Sequence, residues 1–508
     1  CRFLPAEAAE NKIVFTNGTA VNVNGAVSEG TGALKKNTVT FSGNDSETIR
    51  GAFSKNQGRV EENGVTISGG TVENVYGAVT GGTGVAANNY VTLTGGTVDT
   101  EVAGGVGYQA TGNTVTISGG TFSGYSGADV YGGKTSGGPG SSVSNNTVNL
   151  GAEDGTYTAN LSRASIHGDN STGGAVNNNT LNVRGKGITV YSVNNFDKYN
   201  FKLNNNIGSG DTMLTIRNGG FGREIDFTNN FGVDTSGLSG RPTGTITLVK
   251  SEDANALTFK DGYAPRDLGS TANAEYFIGT NTGTRTATSV IMNYSLFKDN
   301  TWTYDATNPS TATEVAGGIS YEDGHTTENN QITVTGVPST NLNFVYGGKS
   351  NGTANSKENR VIVESTGTGS IVNINGGFTG AANGVAEKNR VIIKDGTVTN
   401  AMGGAVSGAN GSATGNEVTV EGGTVANVIG GGGTSTAAGN MSENKVTITG
   451  GTVSGQIVGG DSRVLASTSN GNTVTLGGGN LAASQVWGTS YNGNVLANAD
   501  AKIAGNTL

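Results

Sequence analysis

A ten-residue pattern of apolar, polar and glycine positions recurs along the chain. It runs Asn-x-Val-Thr-Ile-x-Gly-Gly-Thr-Val from Asn63 and returns, with small apolar exchanges, from Asn89 and Asn113. Apolar and polar residues alternate in each copy, as they do in a β-strand with one buried face. The glycine pair that follows supplies the positive φ angles of a sharp bend. The pattern therefore predicts a short strand that ends at a bend.

The spacing of the copies predicts a repeat protein. Within two runs, successive copies lie 24 to 33 residues apart, and their first apolar residues are Ile13, Val39, Val65, Val91, Val115, Val148 and Leu181, then Ile332, Val361, Val391, Val418, Val446 and Val474. A second motif related to Val-Tyr-Gly-Gly follows the bend in most copies. A unit this short cannot close a core alone, but stacked copies bury a continuous apolar column. We predict an all-β fold, a parallel β-helix solenoid of about 18 coils.

An asparagine precedes the strand in many copies. These residues are Asn37, Asn63, Asn89, Asn113, Asn389, Asn416, Asn444 and Asn472. In a stack of coils they would lie in register, and asparagine both tolerates the left-handed conformation and can bond a neighbouring coil. We therefore predict a structural ladder of asparagines.

The middle of the chain departs from the repeat. Residues 184–312 hold 15 of the 32 aromatic residues and predict either atypical coils around an aromatic core or an inserted β subdomain. The repeats are assigned to 11–183 and 313–508.

The two ends of the chain also differ from a complete repeat. Residues 1–10 contain an Ala-x-Ala of the kind that signal peptidase cuts, so we expect a remnant of an export signal or leader there. The last residues begin another copy, so we expect a chain cut in mid-repeat.

Composition and charge exclude several classes of protein. The formal net charge is -9 and only 14% of residues are charged, which argues against nucleic acid as a partner, because binding phosphates needs clustered Lys and Arg. The single cysteine, Cys1, cannot form an internal disulfide. No apolar run approaches the ~18 residues of a membrane-spanning helix.

Candidate chemistry is sparse. Neither His167 nor His325 has a metal ligand at chelating spacing, so we predict no metal site and no cofactor. Residues 167–171 contain His, Asp and Ser, but consecutive residues cannot form a catalytic triad, and we interpret them as a loop. Residues 133–135 and 348–350 end like a phosphate-binding loop but lack its earlier glycine, so the repeat explains them. No catalytic or cofactor-binding residue is predicted.

The two motifs resemble the Gly/Asn/Thr-rich passenger domains of type V autotransporters from anaerobic diderm bacteria. The likeness covers most of the chain, including Asn179–Val183 and Gly210–Leu214 in the irregular middle. The resemblance implies a right-handed β-helix that is exported and displayed outside the bacterial cell. It also implies an outer-membrane β-barrel translocator downstream, which this sequence does not contain.

The function implied by the resemblance is that of a non-catalytic adhesin or structural scaffold in virulence. Its partner would be an unknown host-cell or matrix receptor or a neighbouring bacterial cell. Aromatic and Arg side chains dominate binding hot spots, so we take as a tentative interaction surface the middle-segment residues Tyr263, Arg266, Trp302 and Tyr304. Core packing is the alternative for these aromatics, and a role purely in surface-layer or biofilm architecture also stays open.

An enzyme is the alternative from another class. A polysaccharide lyase or glycosidase on a β-helix, including tailspike-like proteins, needs carboxylates and cations that converge on one outer face. The outward strand positions here are mainly threonines, namely Thr66, Thr92, Thr116, Thr419, Thr447 and Thr475. We therefore predict that the chain is not an enzyme.

Overall fold

The structure is a computed structural model. It describes residues 7–124, 127–138, 140–170, 177–260, 266–270, 273–280, 285–307, 313–321, 324–338, 341–433, 439–462, 468–482, 485–491 and 502–504. All regular structure in these ranges is β-strand, and they contain no helix long and apolar enough to cross a membrane. The predicted all-β parallel solenoid is confirmed.

The chain forms two compact units. Unit 1 comprises Cys1–Leu238, Thr245–Leu268 and Phe277–Met292, and unit 2 comprises Ser239–Gly244, Gly269–Tyr276 and Asn293–Leu508. Together they make about 16 turns, not the predicted 18. The difference arises in the middle segment, where the described residues contain no first strand between Phe231–Asp234 and Thr301–Tyr304.

Each coil of unit 1 contains up to four short strands, which stack in parallel on the corresponding strands of the next coil. The first strands are Lys12–Phe15, Thr38–Phe41, Gly64–Ile67, Tyr90–Ala103 (continuing into the second strand), Thr114–Phe122, Thr147–Leu150, Thr180–Val183, Lys198–Lys202 and Phe231–Asp234. The second strands are Thr19–Asn24, Asp45–Arg50, Thr71–Tyr76, Asp129–Tyr131, Leu161–His167, Ile188–Asn194 and Thr212–Ile216.

The third and fourth strands of unit 1 are shorter. The third strands are Val27–Ser28, Phe53–Ser54, Val79–Thr80, Val106–Gly107 and Lys134–Thr135. The fourth strands are Ala8–Ala9, Leu34–Lys35, Val60–Glu61, Val85–Ala87, Gln109–Thr111 and Ser142–Ser144. The strands Leu257–Thr258 and Thr286–Ala287 pair antiparallel. Four strands have residues in both units: Thr243–Ser251, Arg266–Ser270, Ala274–Thr280 and Ser289–Leu296.

Unit 2 repeats the plan, with the second and third strands mostly fused. Its first strands are Thr301–Tyr304, Gln331–Val334, Arg360–Val363, Arg390–Ile393, Glu417–Val420, Lys445–Ile448 and Thr473–Leu476. The fused strands are Glu314–Ser320, Leu342–Ser350, Ile371–Thr379, Thr397–Val406 and Thr424–Gly433, followed by the separate strands Thr452–Val453, Gln456–Ser462, Asn480–Leu481 and Gln485–Tyr491. The fourth strands are Thr327–Glu328, Ser356–Lys357, Val385–Glu387, Ser412–Thr414, Thr468–Asn470 and Lys502–Ala504.

The alternating pattern places the apolar residues inside. Val65 pairs in register with Val39 and Val91, and all three are 1% exposed or less. In unit 2, Val391 and Val418 are fully buried in an equivalent column. Burial of each such side chain contributes about 1.5–3 kcal/mol relative to exposure. The stacked β-branched column is therefore the main source of stability.

Asparagine side chains form a buried ladder beside this column. The Oδ1 atom of Asn89 accepts two hydrogen bonds from Asn63, one from its backbone N–H at 3.0 Å and one from its side-chain Nδ2 at 3.1 Å. The Nδ2 atom of Asn89 donates to Asn113 Oδ1 at 3.0 Å and to the carbonyl of Val60 at 3.1 Å. All eight predicted asparagines lie in this arrangement with no exposed surface. It also includes Asn11, Asn146, Asn179, Asn300, Asn330 and Asn359.

The backbone at the ladder differs from the prediction in one respect. The left-handed conformation falls on the residue before each ladder asparagine, for example Lys36 with φ 54° and Glu62 with φ 58°. The ladder asparagine itself is needed for its amide, which bonds two neighbouring coils. In unit 1 the ladder ends at Asn179, which donates its N–H to Asp197 Oδ2 at 2.9 Å and its Nδ2 to Asp169 Oδ2 at 3.0 Å.

The aromatic residues of the middle segment fill the core of the last coils of unit 1. The rings of Tyr199 and Phe221 stack with centroids 4.0 Å apart, and those of Phe201 and Phe231 stack at 4.9 Å. Tyr199, Phe201 and Phe221 are 1% exposed or less. The strands that carry Tyr199 and Phe231 pair in parallel, as the first strands of the preceding coils do. The segment 184–312 as a whole is divided between the two units.

In most coils the backbones of neighbouring coils approach closely at a glycine that follows the second strand. A Cβ atom on Gly77 would lie 2.2 Å from the carbonyl oxygen of Gly104 and 2.9 Å from the backbone nitrogen of Tyr90. Gly105 packs in the same way on the ladder amide of Asn113. Only glycine permits this approach, and we call the position the waist of the coil. The outward side chains on either side of the waist approach each other, as Tyr131 and Lys134 do, and we call the outer surface along the stacked waists the waist groove.

Candidate functional site

The waist groove of unit 1 carries aromatic and charged side chains in register. The last residues of successive second strands pair in the order Arg50, Tyr76, Ala103, Tyr131, His167. They occupy the same strand position, so their side chains lie on one outer face. The residues that begin the third strands, among them Phe53 and Lys134, form the opposite wall.

Lys134 bridges the two walls. Its Nζ lies 5.0 Å from the ring centroid of Tyr131, three residues earlier and across the waist. The same ammonium group is ion-paired with Glu101 of the preceding coil, whose side chain is 13% exposed. The Tyr76 hydroxyl, one coil further back, donates to Asn74 Oδ1 at 3.5 Å. The Glu101 carboxylate therefore joins two coils along the groove through Lys134.

Tyr131, His167 and Asp129 form the next part of the groove. The rings of Tyr131 and His167 stack with centroids 4.8 Å apart and an angle of 20° between their planes. The Tyr131 hydroxyl donates to Asp129 Oδ2 at 3.3 Å, and His167 Nε2 lies 3.4 Å from Asp129 Oδ1. Asp129 pairs in register with Glu101. Two carboxylates on adjacent strands thus lie beside a phenol and an imidazole.

Arg50 occupies the other part of the groove. Its guanidinium carbon lies 5.0 Å from the ring centroid of Phe53 and 5.8 Å from that of Tyr76, both within the range of a cation–π interaction. Its Nη1 atom donates to Asn22 at 3.1 Å and to Asn24 at 3.3 Å. Arg50 therefore extends the network to the first coils of the unit.

Burial controls the ionisation of these groups. Burial, reinforced by the charge of Glu101, raises the pKa of Tyr76, and burial together with Asp129 raises the pKa of Tyr131. Burial lowers the pKa of His167 more than Asp129 raises it. Near neutral pH both tyrosines are hydroxyl donors, and the imidazole is uncharged. The groove thus presents donors and acceptors side by side.

We expect the imidazole of His167 to titrate below its ordinary pKa of 6.5. Below that pH the unfolded chain binds more protons than the folded chain, so the stability contributed by neutral His167 is complete above pH 6.5 and is lost as the pH falls. Histidine ring signals followed by NMR across this range would give the midpoint, and thermal unfolding at pH 7 and pH 5 would give its effect on stability. In His167→Gln this part of the pH dependence should disappear. A midpoint above 6.5 would contradict the expectation.

Unit 2 contains a second version of the groove. Lys349 Nζ lies 5.0 Å from the ring centroid of Tyr346 and is ion-paired with Glu314 of the preceding coil. The rings of Phe344 and Tyr346 stack at 5.6 Å, and Phe378 lies 5.6 Å from Tyr346 on the other side. Tyr346 is accordingly only 5% exposed.

Two residues of the predicted interaction surface, Trp302 and Tyr304, lie outside the waist groove. Tyr304 is 1% exposed in the core of unit 2, and Trp302 packs partly against that core and donates its Nε1–H to the carbonyl of Ala316 at 2.6 Å. Tyr304 therefore packs in the interior, and Trp302 is partly buried against it. Arg266 lies in a strand, and Tyr263 lies outside the described residues.

Sequence reasoning missed the waist groove, although it recorded the motifs. Residues 133–135 and 348–350 were ascribed to the repeat alone, whereas Lys134 and Lys349 reach back over the tyrosine before the waist. His167 was interpreted as a loop residue, but it ends the strand Leu161–His167 and stacks in register on the tyrosine of the preceding coil. The available signal was a tyrosine and a lysine that flank the same glycine pair.

The described part of the chain contains no group of three or more His, Cys, Asp or Glu side chains arranged to hold a metal ion. Comparison of the sequence and the structure with protein-family models, with curated proteins and with solved structures gave no match.

Proposed function

We propose that this chain is a passenger-type β-solenoid, displayed outside a bacterial cell, that acts as a non-catalytic adhesin or scaffold. The waist groove is the observation that carries the proposal. Aromatic and charged side chains lie there in register on stacked coils, which is how solenoids build extended binding surfaces. The surface spans the coils from Arg50 to His167.

The construction of the solenoid also supports a role outside the cell. Stability comes from the buried β-branched column and the asparagine ladder, without any internal disulfide or metal. A chain with one cysteine can pass unfolded through a translocator without a disulfide blocking the way. The motif resemblance to autotransporter passengers gives the proposed export route, with anchoring by an outer-membrane translocator. The proposed partner is a host-cell or matrix receptor or a neighbouring bacterial cell.

The test is binding of the purified chain to host cells and to extracellular-matrix proteins. We expect saturable binding, which the double variant Tyr131→Ala/Lys134→Ala should weaken by about tenfold or more, since buried aromatic anchors dominate hot spots. The matched control is Tyr191→Ala/Lys55→Ala, because both of these side chains are exposed and lie outside the groove. Equal binding by the two double variants would rule out the groove as the adhesive surface. Absence of binding by the unaltered chain would leave only the scaffold role.

One observation favours the enzyme alternative. Glu101 and Asp129 lie in register on adjacent strands, with Lys134 and His167 beside them. This is the collection of carboxylates and cations on one outer face that a carbohydrate-active β-helix requires. Incubation of the chain with a panel of polysaccharides would test it. Release of sugar products that is lost in both Glu101→Gln and Asp129→Asn would establish an enzyme and overturn the non-catalytic proposal.

A further inference from the structure

The waist motif that contains tyrosine and lysine is duplicated in the sequence. Residues 100–105 and 313–318 both read Thr-Glu-Val-Ala-Gly-Gly, and residues 130–134 and 345–349 both read Val-Tyr-Gly-Gly-Lys. The two pairs are offset by 313 − 100 = 213 and 345 − 130 = 215 residues. One complete copy therefore lies in each unit.

The two copies also have the same geometry. In each, the lysine ammonium lies 5.0 Å from the centre of the tyrosine ring and is paired with the glutamate of the preceding coil. In each, the tyrosine pairs in register with an alanine, Ala103 or Ala316. The arrangement Glu–Ala–Tyr–Lys is thus built twice by separate coils.

Closing the waist does not require these residues. Another coil of unit 2 makes the same glycine pair with Asn400, Met402 and Ala405 at the corresponding positions, in register with its neighbours. The next coil uses Asn427, Ile429 and a glycine. Since the fold accepts uncharged residues there, the repeated glutamate, tyrosine and lysine point to a common ligand.

We propose that the two copies are related binding sites for an uncharged carbohydrate chain, an inference that rests on the proposed adhesive function and specifies its ligand. In unit 1 the carboxylates of Glu101 and Asp129 accept hydrogen bonds, and the ammonium of Lys134 donates them. Sugar hydroxyls both donate and accept, and the C–H faces of a pyranose ring pack on aromatic side chains.

The charges of the groove argue against an acidic ligand. Each lysine is already paired with a glutamate, and Asp129 adds a further negative charge in unit 1. Binding a sulfated or phosphorylated polymer needs a surplus of Lys and Arg, whereas this chain has a net charge of -9. Stacked coils repeat every ~4.8 Å along the groove, close to the length of one sugar residue in an extended chain.

The two sites should differ in strength. Tyr346 is enclosed by Phe344, Phe378 and Lys349 and is 5% exposed. Tyr131 is only partly buried and shares its face with His167. The unit 1 site is therefore the more accessible, and it should bind the more tightly.

The experiment is calorimetric titration of the whole chain with cellohexaose, maltohexaose and mannohexaose, and with oligogalacturonate as the acidic comparison. We expect at least one neutral hexasaccharide to bind with two sites per chain. The single variants Lys134→Met and Lys349→Met should each lose one site, and the double variant should lose both. Lys55→Met and Lys445→Met are the controls, because these exposed lysines lie outside the waist. Circular dichroism and the melting temperature show whether each variant is folded.

Three results would overturn the inference: no binding of any neutral hexasaccharide, preferential binding of oligogalacturonate, or a stoichiometry that the waist variants leave unchanged. The proposed function fails separately. If the hexasaccharides do not bind, but attachment to cells persists and is lost in Tyr131→Ala/Lys134→Ala, the groove is adhesive and its ligand is not a neutral glycan. If the hexasaccharides bind at both sites and cell attachment is absent, glycan recognition stands without adhesion.

Discussion

We expect replacement of Asn89 by alanine to lower the free energy of unfolding by about 3–5 kcal/mol. The Asn89 amide makes four buried hydrogen bonds, two with Asn63 and one each with Asn113 and Val60. Alanine removes these four bonds in a space that has no exposed surface, although Asn113 Oδ1 keeps the backbone N–H of residue 89 and Asn63 Nδ2 keeps the carbonyl of Leu34. Each buried group left unsatisfied costs about 1–3 kcal/mol, which local relaxation partly relieves.

Asn400→Ala is the matched control for Asn89→Ala. Asn400 belongs to an amide row on the outer face of unit 2, where its Nδ2 donates to Asn373 Oδ1 at 2.9 Å and its Oδ1 accepts from Asn427 at 2.8 Å. Water can replace these bonds, so the loss should stay below about 1 kcal/mol. Denaturant unfolding of both variants would measure the two losses of unfolding free energy from the shift in midpoint, provided that the slope of the free energy against denaturant concentration stays the same. Equal losses in the two variants would show that the buried ladder is no stronger than the outer row.

The second large effect is expected at the waist. Gly77→Ala should destabilise the chain by about 2–4 kcal/mol, because overpacking a rigid site costs ~1–3 kcal/mol and more where nothing can move. The new Cβ would lie 2.2 Å from the carbonyl oxygen of Gly104 and 2.9 Å from the backbone nitrogen and oxygen of Tyr90. All three atoms belong to the backbone of the neighbouring coil, so relief requires that the coils separate.

Gly208→Ala provides the comparison for Gly77→Ala. Gly208 has open space where its Cβ would lie and does not have a positive φ angle. Alanine there should leave stability unchanged or raise it by a few tenths of a kcal/mol, up to about 1, by restricting the unfolded chain. Thermal unfolding of both variants, with amide hydrogen exchange at Tyr90, would test the pair. Undiminished protection at Tyr90 in Gly77→Ala would contradict the steric argument.

Much of the fold could be predicted because the repeat leaves a local signal in every coil. Val65 and Ile67 alternate with Thr66, and this alternation is enough to assign an inner face. The ladder also leaves a local sequence signal in every coil, since each ladder asparagine stands two residues before the first apolar residue of its strand. Applied to every copy, that spacing also finds residues that were not predicted: Asn11, Asn146, Asn179, Asn330 and Asn359.

The waist groove could not be predicted in the same way, because its neighbours come from different coils. Tyr131 and His167 are 36 residues apart in sequence, yet they stack, since the loop between their strands absorbs the extra length. The direction of Lys134 depends on the glycine pair, which turns the chain so that residues three apart face each other. The error in the number of coils also comes from the middle segment, since no pattern showed that the chain between Asp234 and Thr301 would form strands other than first strands.

The asparagine ladder gives the solenoid an electrical polarity. From Asn37 to Asn146 each amide accepts from the asparagine of the coil before it and donates to the asparagine of the coil after it, so the side-chain dipoles add head to tail, as peptide dipoles do in an α-helix. The forward end retains N–H groups and so carries a partial positive charge. In unit 1 that end meets the carboxylates of Asp197 and Asp169, which accept from Asn179. Asp197 stands where the next asparagine would stand, immediately before the strand Lys198–Lys202, and the two aspartates complement the positive end of the ladder as an acidic cap complements the N-terminus of a helix.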